Sequence, residues 1–143
     1  MKKTKLYDFL KLNGFNLLEQ STSEYFGDYS DLFECEDFGL RFSSSKSDET
    51  VDIYSLSDKE EVFDLALLKA LIFKEKILNV PTTIDEYYKF LKNELHQIKV
   101  LFLKINYLKT KKGLDDLGNE RAKQMFPGMD ECTVYWSFCK WKF

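Results

Sequence analysis

The apolar residues of this chain keep two different periods, and they change from one to the other near residue 57. Phe33 and Cys35, then Phe38, Leu40 and Phe42, then Val51 and Ile53 alternate with charged or small residues. A period of two sends side chains to opposite faces of a strand, so these runs read as antiparallel strands with one covered face. Glu36-Asp37 lies between the first two runs as the expected hairpin turn, and residues 43–49 form the next loop. Later, Ile84, Tyr88, Leu91, Leu95, Ile98, Phe102 and Ile105 are spaced alternately by four and three, which is a helical stripe. Strands early and helices late define an α+β fold. The expected architecture is an antiparallel sheet of three to five strands from the N-terminal half, packed against long helices from the C-terminal half.

Local signals fill in the remainder. Leu6, Phe9 and Leu10 predict an amphipathic helix over 3–13, closed by Gly14. A strand is expected over 15–20, then a polar turn region over 21–30, where Tyr25, Phe26 and Tyr29 also fit a strand. Ser57-Asp58-Lys59-Glu60 is a capping box, so a helix is expected from near Asp58 through Phe73. Its sequence is apolar almost all the way round, which makes it a central helix. Thr83-Ile84-Asp85-Glu86 is a second capping box, and it opens a helix over 84–108 that would be about 37 Å long. Gly113 is the expected stop, followed by a shorter helix over 114–126. Residues 132–143 hold Tyr135, Trp136, Phe138, Trp141 and Phe143. They read either as a docked final strand, with Val134, Trp136 and Phe138 on one face, or as an exposed strip for a partner.

With 143 residues, no internal repeat and no linker, 1–143 reads as a single domain: sheet-rich over 1–56, helical over 58–126, and an aromatic strand or tail over 132–143. A chain of this size buries about two-thirds of its unfolded surface and needs no metal or disulfide staple. Three cysteines without a CxxC pair fit a reducing compartment. The lysine-rich start is followed by Asp8, Lys11 and Asn13, which break the apolar run of a signal peptide, and Lys69, Lys74 and Lys76 interrupt the best membrane-span candidate. A cytoplasmic location is therefore expected, with no membrane partner.

Charge is distributed unevenly. Residues 1–58 carry 6 Lys/Arg and 12 Asp/Glu, a balance of −6, whereas residues 59–143 carry 15 and 12, a balance of +3. No basic residue occurs between Lys11 and Arg41, an interval holding Glu19, Glu24, Asp28, Asp31, Glu34, Glu36 and Asp37. Such a surface repels nucleic acid and speeds encounter with a basic protein, although a solvated face explains the same residues. Lysines at 89, 92, 99, 104, 109, 111 and 112 line the later helices, but scarce arginine and a net acidic domain argue against nucleic acid. Residues 84–108 also admit a coiled-coil seam, and with it an oligomerising or regulatory module.

Assembled catalytic motifs are missing from this pattern. His96 is the sole histidine and has no partner motif beside it. Asp28, Asp31, Glu34 and Glu36 supply oxygen ligands of the kind Mg²⁺ or Ca²⁺ takes, and a small divalent-metal enzyme is the alternative reading, yet their spacing fits no calcium-binding loop. No catalytic residue, metal ligand or cofactor is assigned.

One order of short motifs resembles a known group. Asn13-Gly14-Phe15 begins the sheet, Phe26-Gly27-Asp28 forms a turn, Asp37 to Phe42 reads Asp-Phe-Gly-Leu-Arg-Phe, and Val51-Asp52-Ile53 precedes the Leu-rich helix. Over about residues 5–80 this resembles small bacterial α+β immunity proteins of polymorphic toxin systems. The resemblance implies a protein without catalysis that binds and neutralises a cognate toxin. An acidic surface suits that task by occupying a basic toxin cleft. The expected contact residues are Asp28, Asp31, Glu34, Glu36 and Asp37, with Tyr25, Phe26 and Tyr29 as aromatic anchors.

Overall fold

The computed structural model describes residues 2–22, 28–46 and 48–127. A first helix, α1 (Lys3–Leu12), leads into a five-stranded antiparallel meander: β1 (Asn16–Thr22), β2 (Tyr29–Glu34), β3 (Phe38–Ser45), β4 (Asp48–Ser55) and β5 (Val62–Asp64). Three helices follow: α2 (Leu65–Phe73), α3 (Ile84–Leu101) and α4 (Tyr107–Met125). The α+β architecture is as expected, with the sheet in the N-terminal half and the long helices in the C-terminal half. Of the residues singled out in the sequence, Tyr25, Phe26 and the aromatic segment 132–143 lie outside the described residues. Among those described, no helix is long and apolar enough to cross a membrane.

Alternation sets the register. Phe33, Leu40, Phe42, Val51, Ile53 and Phe63 form one buried face, and α1 and α3 close over it with Leu6, Leu10, Tyr88, Leu91 and Ile98. Aromatic edges hold this layer together: Tyr7 meets Phe33 at 4.7 Å, and Phe42 meets Tyr88 at 6.3 Å between ring centroids. α1 ends as expected. Gly14 takes φ +89°, and the Phe15 amide donates back to the Leu10 carbonyl at 3.0 Å. The turn at Glu36-Asp37 also forms, with the Cys35 amide donating to the Phe38 carbonyl.

Three helices begin or end elsewhere than expected. The central helix starts at Leu65, not near Asp58, because β5 takes residues 62–64 and pairs with β4. Its cap is Asp64, whose carboxylate accepts from the Ala66 amide at 2.9 Å. The helix expected over 84–108 opens at the predicted cap, where Thr83 accepts from the Glu86 amide, but it stops at Leu101. Asn106 and Thr110 side chains donate to the Val100 and Leu101 carbonyls at 2.8 Å each, satisfying orphan acceptors at the helix end. The break lets Phe102 and Tyr107 both turn inward, 5.8 Å apart, and sends α4 back along α2. Gly113 is not a stop. It lies inside α4, where a Cβ would stand 2.9 Å from Leu71 Cδ1, so its small size sets the close approach of α2 and α4.

Candidate functional site

The acidic interval divides into an inward and an outward set. Asp31 shares parity with Tyr29 and Phe33 and points into the core, 1% exposed. It accepts from the Tyr7 hydroxyl at 2.5 Å and pairs with Lys3 at 3.2 Å. Burial first, and then that hydrogen bond, hold the Tyr7 hydroxyl protonated far above its ordinary range. Lys3 also stands 3.5 Å over the Tyr29 ring, which fixes Tyr29 as part of this internal cluster. Asp31 is thus the exception to the expected outward display: it is neutralised inside the fold, and Tyr29 is half-buried beside it.

Glu34 emerges on the opposite face. Tyr54 crosses from β4, passes over Gly39 and donates to Glu34 at 2.6 Å, and Lys59 lies 3.6 Å from the same carboxylate. Burial and the Glu34 carboxylate keep the Tyr54 hydroxyl protonated above its usual range. Gly39 makes room there: an added Cβ would stand 2.3 Å from Tyr54 Cζ, so the ring would have to shift. Glu36 is exposed and Asp37 half-buried in the turn that follows, and neither side chain has a hydrogen-bond or ion-pair partner among the described residues. Asp28 lies just before the other end of β2, about 20 Å from Glu34 at strand rise, where its carboxylate accepts from the Lys46 amide. The structure therefore brings Glu34, Glu36 and Asp37 together and leaves Asp28 and Asp31 apart from them. Among the described residues, no group of three or more His, Cys, Asp or Glu side chains is placed to hold a metal ion.

A second charged cluster was not anticipated. Asp64, besides capping α2, accepts from the Tyr87 hydroxyl at 2.8 Å and from Arg121 at 2.9 Å. It thereby ties β5, α2, α3 and α4 together at one point. Asp52, its cross-strand partner, is pushed up to about 6 by burial and by the Asp64 charge, against the pull of Arg41. The available signal was an Asp directly before an apolar run, which is a cap pattern, but the earlier Ser57 box drew the helix start away from it.

Beside Asp64 opens a groove of about 830 Å³. Leu67, Ala70 and Ala122 form its floor, exposed Ile77, Val80, Met125 and Phe126 its apolar wall. Gln124 holds the 76–78 segment in place, accepting from the Leu78 amide and donating to the Lys76 carbonyl at 2.7 Å each. Known proteins offer no guide to either feature. Compared with family models, curated proteins and solved structures, the chain finds no match in any of the three. What each site does has to be argued from its own chemistry. The 34–37 turn presents the Glu34, Glu36 and Asp37 carboxylates at one end of the sheet. His96, exposed on α3, stands apart from both places.

Proposed function

We propose that this chain is a protein-binding module without catalysis of its own, acting as an immunity-like protein that engages a basic toxin surface. The observation that carries the reading is the turn following β2. Glu36 and Asp37 project there with no partner among the described residues, next to Glu34. Unpaired carboxylates at the rim of a sheet gain most from a cationic partner, in encounter rate and in orientation. Asp28 adds to the field at a distance, whereas Asp31 supports the fold beneath. The oligomerising alternative has less to draw on, because Tyr88, Leu91, Leu95 and Ile98 spend the α3 stripe on the protein's own core.

The test is capture of the basic products of adjacent genes at low and high salt. Capture should weaken with salt, and Glu36→Lys with Asp37→Lys should weaken it by at least about tenfold. Asp31→Asn should lower the melting temperature and leave capture by the folded fraction unchanged. Capture that ignores both reversals, or no capture of any of these products at any salt, would sink the proposal.

A further inference from the structure

Among the described residues, the sheet has an open edge inside the groove. Within the same described residues, β5 pairs only with Asp52, Ile53 and Tyr54 of β4 before the chain leaves the sheet as α2. Asp48, Glu49 and Thr50 of β4 pair with β3 on one side and line the groove on the other, and all three are exposed. An unpaired strand edge beside an apolar trough is the geometry that takes up an extended segment by strand addition.

The chain itself arrives at this place. Met125 and Phe126, at the end of α4, line the groove, and residues 128–143 follow them directly. That stretch has the composition the groove calls for. Thr133, Val134, Tyr135, Trp136 and Phe138 are strand formers, with Val134, Trp136 and Phe138 two apart. Lys140 and Lys142 complement Asp48 and Glu49, which line the groove. At about 3.3 Å per residue, 132–138 reaches about 20 Å, more than the open length of β4.

We propose that residues 132–138 of the same molecule add as a strand along residues 48–50 of β4 and seat Trp136 and Phe138 in the groove. The occupant is independent of the partner proposed for the 34–37 turn. It completes the sheet beyond the short β5 and covers apolar surface that would otherwise invite association.

The only two tryptophans, Trp136 and Trp141, report on this directly. Ile77 and Val80 are 71% and 68% exposed, so substituting them leaves the core intact. In the full chain, tryptophan emission should be blue-shifted and resist iodide quenching. Ile77→Asp with Val80→Asp should shift it red and raise quenching several-fold, with the melting transition kept. Leu12→Asp, equally exposed but on α1, should change neither. Four results would overturn the proposal. Emission of the unaltered chain matches free tryptophan, which leaves the groove to another partner. The groove variants leave emission unchanged. The Leu12 variant shifts it as much. Or the blue shift disappears on dilution together with a dimer, which places the segment in a second copy.

Discussion

Single residues on the sheet carry opposite roles according to parity. Asp31 and Glu34 are three apart, and that odd spacing sends one to the core and the other to the surface. Asp52 is held above the usual carboxylate range. Its ordinary value of 3.8 is raised to about 6 by burial and by Asp64. Between those values the folded protein holds a proton that the unfolded chain has lost, so Asp52's contribution is fully present below about pH 4 and is lost as pH rises through 6. Two units correspond to about 3 kcal/mol, and partial exposure reduces this to the order of 1–2 kcal/mol. Asp52→Asn should therefore raise the melting temperature at pH 7.5 and leave it nearly unchanged at pH 4. An equal rise at both values would show that Asp52 ionisation is not opposed by the fold.

At the scale of elements, β3 and β4 are joined on their outward side by one unusual packing, the Tyr54 ring lying over Gly39 to reach Glu34. Gly39→Ala should displace that ring and cost about 1–3 kcal/mol. In a Tyr54→Ala background the same change should be neutral or stabilising, since alanine restricts the unfolded chain more than glycine. Urea melts of the two single variants and the double variant measure the coupling, and additivity within about 0.5 kcal/mol would show that the ring does not depend on Gly39. The strands themselves were legible because one face is buried, and burial leaves a period of two that a slip of one residue would destroy. Asp31 was legible by the same parity, as its place two residues from Phe33 shows, but reading it by charge alone put it outside. The end of α3 was not legible. The apolar spacing runs on through Phe102 to Ile105, yet Ile105 is 90% exposed, and the break depends on capping by Asn106 and Thr110 across the turn. The Asp64 hub was hidden for a similar reason: Tyr87 and Arg121 lie far away in sequence and meet it only through the packing of α3 and α4.

Across the whole molecule, the two candidate surfaces occupy opposite ends of the sheet. Ser55 pairs with Phe38 beside the 34–37 turn, whereas Asp48 pairs with Ser45 beside the groove. The length of β4 between them is about 24 Å, more than twice the distance over which exposed charges act at physiological salt. The strands between are paired along their length and buried on one face, so perturbations at one end should add to those at the other without coupling. Glu36→Lys with Asp37→Lys should abolish salt-sensitive capture and leave tryptophan emission as it was. Ile77→Asp with Val80→Asp should shift emission and leave capture within about twofold of the unaltered chain. If the groove variants lose capture as well, residues 132–143 belong to the partner-binding surface, and one extended interface runs the length of the sheet in place of two separate ones.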